Sequence, residues 1–494
     1  MFKLSLNENE INFKDLEVKI YKLVCEEACK IMAQILMEID DMLLEKRDKK
    51  EYRCKGKKHT NIKTIMGTVE FDKRIYEHIN SEGKKEYVYL LDEYLKMDTI
   101  GHISTNLIEK VVENVTEMSY REAAKNIESL TNQSISHATA WNIIQKIGEK
   151  IAELEKQDIK LFKENKLRGE KETKILFQEM DGLWLSMQGK DRPKGKKSRG
   201  KKEIKLAVAY DGWVKRSPGS NEYITHNKIA CAGFASSKEF KELVDATIAK
   251  EYNIDEIEIK IINGDGASWI KESLGEEGVY FQLDPFHKSQ AVIRNVENKK
   301  DVRKLIKMLD EGKTEESLEY IAKLMIEQKD DEKQMKKLEK LYNYLVANKE
   351  GIKPYQKREE IKIPEAPEGI EYKHLGTMEN NIFDTLASRM NAGKMSWTEK
   401  GANNLAKILA LKTSGKLYSV VETYYNVIIS GEKLAEIKEE IKLSAADVNK
   451  KQKKAKTYHM QRGGMPFEGC AMTNSRKAIR EILRYKCLSE LKVI

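Results

Sequence analysis

Ile175-Leu176-Phe177-Gln178-Glu179-Met180-Asp181-Gly182-Leu183-Trp184 is the stretch on which the reading of this chain turns. Before it, apolar residues recur at helical spacing; here the pattern becomes that of an extended strand. Two further apolar segments end in the same way: Ile257 to Asp265, followed by Gly266, and Val279-Tyr280-Phe281-Gln282-Leu283-Asp284-Pro285-Phe286-His287. Carboxylates at strand ends of one sheet can converge. Convergent oxygens are what Mg²⁺ prefers, and two such ions about 3.5–4 Å apart stabilise both the attacking and the leaving oxygen of a phosphoryl transfer. Asp181 and Asp265 alone do not complete that site. A third carboxylate from a later helix is needed, and Glu379, ahead of Phe383, Leu386 and Met390, falls at or near a helix start.

Working outward, the spacing predicts strands at 174–187, 204–213 and 226–235, a helix from Lys238 to Lys250, and strands at 257–264 and 279–284. Three strands, a helix, a strand and then more α/β is the order of a ribonuclease-H-like core. Lys299 to Asn348 is amphipathic helix throughout, with stripes such as Leu318, Ile321, Leu324 and Met325, and Pro354, Pro364 and Pro367 mark the loop that closes it. The expected fold class is therefore multidomain α+β: a ribonuclease-H-like α/β catalytic core with an all-α insertion, preceded by a mainly helical N-terminal DNA-binding region. Its expected divisions are a long N-terminal helix with an oligomerisation role (1–50), a DNA-binding region (51–166), the first part of the core (167–290), the helical insertion (291–370), the second part of the core with Glu379 (371–415) and a basic helical C-terminal region (416–494).

In the N-terminal half, Leu16, Ile20, Leu23, Val24, Ile31, Ile35, Ile39 and Met42 predict one helix from Asp15 to about Arg47, packed either on a partner or on its own domain. After the basic run Arg53 to His59, Ile62 to His78 reads as strand, turn at Gly67, strand. Tyr120 to about Leu130 and a second helix from near Ser136 form a helix-turn-helix candidate. Ser136, His137 and Thr139 would present its first turn to a major groove; the alternative is a plain helical hairpin with Ile135, Trp141 and Ile144 as core.

The chain has 494 residues, of which 89 are Lys or Arg and 80 Asp or Glu, a net charge of +9. So small an excess matters by location. Lys190 to Lys202 holds eight basic residues and one acidic; Lys194, Lys196, Lys197, Arg199, Lys201 and Lys202 are candidates for DNA backbone contact, against the alternative of a solvated loop. A second basic run, Lys450 to Arg462, includes Tyr458 and His459. The six cysteines (Cys25, Cys29, Cys54, Cys231, Cys470 and Cys487) show no C-x-x-C spacing, which predicts reduced thiols rather than a zinc or disulfide framework. With no run near ~18 apolar residues and no signal-peptide core, a soluble cytoplasmic protein without membrane contact is expected.

Glu179-Met180-Asp181-Gly182, Asn263-Gly264-Asp265-Gly266-Ala267-Ser268-Trp269-Ile270, Asp284-Pro285-Phe286-His287 and Gly376-Thr377-Met378-Glu379-Asn380-Asn381, with Ser396-Trp397 beyond, resemble the bacterial insertion-sequence transposases of the ISLre type. These are similar to the wider Mutator-like group of DDE transposases. The resemblance extends to Leu90-Leu91-Asp92-Glu93 and Ser119-Tyr120-Arg121-Glu122-Ala123-Ala124. It implies Asp181, Asp265 and Glu379 as the metal-binding triad of a ribonuclease-H-like fold, with Asp181 bridging two Mg²⁺ ions, Mn²⁺ being the alternative. Its D-x-x-H part, Asp284 and His287, implies a role for His287 near the scissile phosphate; Trp397, by its own chemistry, either stacks on a flipped base or caps the core, the core being favoured. In one respect the chain departs from that pattern: the nearest basic residue after Glu379 is Arg389, ten positions on. The implied activity is strand cleavage at element ends and transfer of the 3′-OH into target DNA. Double-stranded DNA, both element ends and target, would be the partner, with the protein a homodimer or larger assembly in the bacterial cytoplasm, nucleoid-associated when bound. The alternatives are a non-catalytic DNA-binding regulator descended from a transposase, and a structure-specific nuclease of the same fold.

Overall fold

Asn12 opens the first helix by accepting a hydrogen bond from the Asp15 backbone N–H, and α1 (Phe13–Lys46) then runs for 34 residues in the computed structural model of this chain. The structure describes residues 12–80, 83–95, 97, 102–194 and 200–424. Lys196, Lys197, Arg199, Cys470, Cys487 and the basic run Lys450 to Arg462 lie outside the described residues. One face of α1 buries Cys25, Ala33, Leu36 and Asp40. It lies on a three-stranded antiparallel sheet of order β1-β2-β3, built from β1 (Tyr52–Thr64), β2 (Gly67–Ile79) and β3 (Lys85–Val88). The basic run expected to precede the hairpin is part of it: Arg53 pairs with Glu77 and His59 with Asp72. Backbone pairing with β2 carries the strand through side chains that stay in solvent, and a charged edge strand is a common guard against unwanted pairing.

Helices α2 (Leu90–Leu95), α3 (Thr105–Glu117), α4 (Tyr120–Leu130) and α5 (His137–Lys163) follow. Ser119 and Glu122 close a capping box on α4, and Ser136 caps α5. The turn between them is fastened to the hairpin tip: Asn132 donates to the Met66 carbonyl (3.2 Å), Gln133 to Thr68 Oγ1 (3.0 Å) and Lys63 to the Ser134 carbonyl (3.1 Å).

The second sheet contains β4 (Ile175–Ser186), β5 (Lys201–Tyr210), β8 (Ile229–Gly233), β9 (Ile259–Gly264) and β10 (Val279–Leu283), with the small ribbon β6 (Trp213–Lys215) and β7 (Tyr223–Thr225) beside it. Its order is β10-β9-β4-β5-β8; β9 is parallel to β4 and β10 to β9, while β5 runs antiparallel to β4 and β8. β4 is central and buried on both faces, which is why it reads as an almost unbroken apolar run. Ile175, Phe177 and Leu185 join one apolar layer with α5 and α14 (Glu399–Thr413), where full burial of a ring such as Phe177 contributes about 1.5–3 kcal/mol. Leu176 and Met180 face the other, with α6 (Ser237–Glu251) and α7 (Pro285–Asn295).

The predicted helical stretch after β10 resolves into α8 (Lys299–Glu311), α9 (Thr314–Glu327) and α10 (Glu332–Ala347), with the short α11 (Lys349–Ile352). Leu305, Leu318, Ile321, Leu338 and Leu345 belong to the same buried cluster as Leu176, Ile262 and Phe281, so these helices share the core of the sheet. The chain then returns through α12 (Met378–Ile382), a π turn (Phe383–Ala387), α13 (Ser388–Met390), α14 and α15 (Leu417–Tyr424). The whole is a mixed α+β structure. Among the described residues no helix is long and apolar enough to cross a membrane.

Candidate metal centre at the strand ends

Strand parity places Asp181 on the same side of β4 as Phe177 and Glu179. Its Oδ1 accepts from the Gly182 N–H at 2.7 Å, which fixes the carboxylate's tilt and leaves Oδ2 facing outward. The His287 Nε2 stands 3.4 Å from that Oδ2 and 4.0 Å from Glu379 Oε1. Asp181, His287 and Glu379 each offer one ligand atom, and the three atoms lie within 4.8 Å of one another. His287 Nε2 is buried and makes no well-formed hydrogen bond, as expected of ligand atoms facing a common centre rather than each other.

His287 is held by three devices. Asp284, following β10, caps α7 by accepting from the Phe286 and His287 backbone N–H groups (2.9 and 3.1 Å), with Pro285 in the first turn. The next residue, Lys288, is almost fully buried and pairs with Asp310 of α8 at 2.9 Å. Burial lowers the basicity of the His287 imidazole, but the carboxylates of Asp181, Asp284 and Asp265 outweigh it and lift the pKa to about 8.

Asp265 follows β9 next to this group without joining it. Its Oδ1 accepts from the Ala267 N–H at 2.8 Å, and its carbonyl accepts from Tyr344 of α10 at 2.9 Å. Gly266 has φ +87°, and a Cβ there would run into Asn348, so the turn after Asp265 requires glycine. Burial, opposed by the Ala267 N–H and reinforced by Asp181, raises the Asp265 pKa; burial and the nearby Asp181 likewise raise that of Glu379, against the pull of His287. The inserted helices thus brace both Asp265 and His287.

Sequence reasoning missed a fourth carboxylate. Glu203 of β5 lies across Gly182, where a Cβ would fall 2.1 Å from its Oε1, and burial followed by the charge of Asp265 raises its pKa. Its partner across the sheet was unknowable before strand pairing. A second missed group, Glu179, is fully buried beneath the site. It accepts from Tyr210 (2.5 Å), from Asn263 (2.7 Å) and from the Thr377 hydroxyl, and burial raises its pKa. Its position two residues before Asp181 was the available signal.

The remaining expected residues lie apart from this cluster. Trp397 is buried and its indole N–H donates to the Met390 carbonyl (2.8 Å), so the ring caps the core; the expected stacking on a base finds no exposed face here. Arg389 is buried too, donating to the Val115 carbonyl at 2.6 Å, away from the carboxylates. Lys194 and Lys201 are exposed, and Lys202 is engaged by Glu399 at 2.6 Å. Ser136 is spent on capping; His137 is exposed and Thr139 partly so. Ile135 and Ile144 are core as the plain-hairpin alternative has it, but Trp141 is 42% exposed.

Residues 6–425 match the model of an uncharacterised protein family, UPF0236. The chain belongs to that family. A UPF0236 protein of Caldanaerobacter subterraneus subsp. tengcongensis, whose one name joins eleven locus designations from TTE0033 to TTE2212, is 25% identical over 459 residues, covering 90% of this chain and 88% of its own. The UPF0236 protein of the vanSb 3′ region of Streptococcus gallolyticus is 25% identical over 426 residues, covering 84% and 85%. A third UPF0236 protein, TTE0610/TTE0881/TTE1053/TTE2432, is 23% identical over 419 residues, covering 82% and 79%.

Proposed function

We propose that this chain is a DDE-type DNA transposase with a ribonuclease-H-like core, cutting the ends of a mobile element and joining the freed 3′-OH to target DNA. The observation that carries the reading is the meeting of Asp181, His287 and Glu379. Asp181 stands within β4, which runs on to Ser186 rather than ending there as its acidic residue suggested, just past the point where the parallel pairing with β9 stops at Glu179, with Asp265 following the end of β9. The strand order, with α6 between β8 and β9 and the helices inserted before Glu379, supports the fold part of the proposal.

Two carboxylates and one imidazole nitrogen fit a divalent ion, and the nitrogen suits Mn²⁺ better than Mg²⁺, whose preference for oxygen is stronger. Such ions supply charge stabilisation for the oxygens of phosphodiester exchange. Within the chain, Asp181 occupies the shared position between Asp265 and the His287–Glu379 pair. His287, when protonated, balances the crowded carboxylates; when neutral, it presents Nε2 as a ligand. Glu203 adds negative charge on the β5 side. Exposed Lys194 and Lys201 flank the loop between β4 and β5, in reach of a DNA backbone. Holding two element ends calls for two copies of the chain on double-stranded DNA.

A relative bearing eleven locus designations in one genome is what a gene that copies itself leaves behind, which favours a transposase over a stand-alone nuclease of the same fold. The test is cleavage and joining on DNA that carries the element's own ends, with Mn²⁺ or Mg²⁺, comparing wild type with Asp181→Asn and Glu379→Gln. Both activities are expected in wild type and in neither variant. Cleavage without joining would replace transposase by nuclease, and binding without cleavage would leave a regulator.

A further inference from the structure

Glu379 and His287 come from segments far apart in sequence, and neither is on a strand. What sets their separation is underneath them. Glu179 and Asn263 are register partners on the parallel strands β4 and β9, so their side chains lie side by side on the same face. Both are fully buried. Asn263 Nδ2 donates to Glu179 Oε2 at 2.7 Å and to Asp284 Oδ2 at 2.9 Å, which joins Glu179 to the residue that caps α7 and aims His287. On its other side, Glu179 Oε1 accepts from Thr377, the residue before α12; Thr377 in turn accepts from Asn381 at 3.1 Å, one turn along the segment that carries Glu379. Lys228 donates to the Asn381 Oδ1 at 3.3 Å.

We propose that Glu179 is the positioning residue of the metal centre: one buried carboxylate that fixes the Glu379 arm through Thr377 and the His287 arm through Asn263 and Asp284. This rests on the metal-site reading above. A buried acid with no such role would be a liability, because its desolvation is compensated only by donors supplied for it. Here three side chains donate to the two acids, Tyr210, Asn263 and Thr377 to Glu179 and Asn263 again to Asp284, which also accepts from the Phe286 and His287 N–H groups. On its face of β4, Glu179 stands between the buried ring of Phe177 and the carboxylate of Asp181, at the boundary between core and site. Residues that orient metal ligands from behind typically contribute 10–100-fold to affinity.

Thr377 separates positioning from bulk, since valine keeps its shape and loses only the hydroxyl. Mn²⁺ binding to the full chain is measured by calorimetry, with thermal unfolding of the metal-free proteins alongside. Thr377→Val is expected to weaken Mn²⁺ binding about 10-fold or more while remaining folded, Thr377→Ser to restore it, and Glu179→Gln to weaken it at least as much as Thr377→Val. Asp181→Asn, as the ligand control, abolishes it. Wild-type affinity in folded Thr377→Val overturns the positioning role and leaves the metal centre standing, provided Asp181→Asn fails to bind. Absence of Mn²⁺ binding by wild type overturns both. Should Glu179→Gln fail to fold, the Val and Ser pair at 377 still decides the matter.

Discussion

The two sheets of this protein treat charge in opposite ways. In the N-terminal sheet, cations meet anions: Arg74 is held by the buried Asp40 at 2.8 Å and by Asp41 at 2.5 Å, Lys55 by Glu77 at 2.9 Å, and Lys73 by Asp92. In the larger sheet, Asp181, Asp265, Glu379 and Asp284 surround the imidazole of His287, with Glu203 adding its charge beside Asp265 and Asp181 against Lys205. Pairing serves the fold. Crowding like charges costs stability, which is why such a cluster marks a candidate functional site.

Truncation gives the largest contrast. Asp40→Ala leaves Arg74 with only the exposed Asp41 and is expected to lower the unfolding free energy by about 3 kcal/mol, the lower end of the cost of breaking a buried pair. Asp181→Asn, measured by urea denaturation with chelator present at about pH 9, where His287 is neutral, should leave stability unchanged or raise it, because it relieves repulsion. Equal losses in the two variants would erase the distinction between the sheets.

Next in size is the response to a divalent ion. At a Mn²⁺ concentration of about 100 times its dissociation constant, wild type should gain roughly 2.7 kcal/mol. Asp40→Ala should gain as much from its lower starting point, and Asp181→Asn nothing. A gain that survives in Asp181→Asn would put the ion elsewhere.

How much of this was legible beforehand follows from the same contrast. An acid that closes an apolar run announces itself, which is how Asp181 and Asp265 stood out in sequence although β4 continues past Asp181 to Ser186; Glu379, in α12, came from the resemblance, and β4, β9, β10 and α6 fall close to their predicted bounds. Glu203 and the Glu179–Asn263 pair depend on which strands become neighbours, and a one-residue change of register would turn each to the opposite face. Gly182, which looked like part of a motif, is better explained by the carboxylate lying across it. The hairpin was read too short because its first strand is basic, and polar side chains hide a strand whose pairing is made by the backbone. Trp397 was ambiguous in sequence because a tryptophan suits both a base stack and a core; burial and a hydrogen bond to Met390 decide for the core.

A smaller effect lies in pH. The folded pKa of His287 is raised to about 8 from an ordinary 6.5, so in metal-free protein its stabilising share is complete below about pH 6.5 and is lost as pH rises through 8. A rise of that size corresponds to at most about 2 kcal/mol. Since His59, His78 and His226 also face carboxylates, the quantity to measure is the difference between wild type and His287→Asn across pH 6–9. A flat difference would separate His287 from the charge of the cluster.

The smallest effect asks whether the N-terminal sheet has cations to spare for DNA. Lys57 and Lys58 project from the exposed middle of β1, and among the described residues no carboxylate is within ion-pair distance of either, whereas Lys73 is taken by Asp92. A cation already neutralised inside the protein releases few counterions when DNA arrives; an unpaired one releases nearly its full share. Lys57→Ala and Lys58→Ala should therefore each reduce the slope of log affinity against log salt by about 0.9, and Lys73→Ala by much less. If all three slopes match wild type, β1 faces solvent and DNA is gripped elsewhere, the loop of Lys194 and Lys201 being the next surface to test. If Lys73→Ala alone changes the slope, the pairs of this sheet open on binding, and the contrast between paired and crowded charge holds only for the free protein.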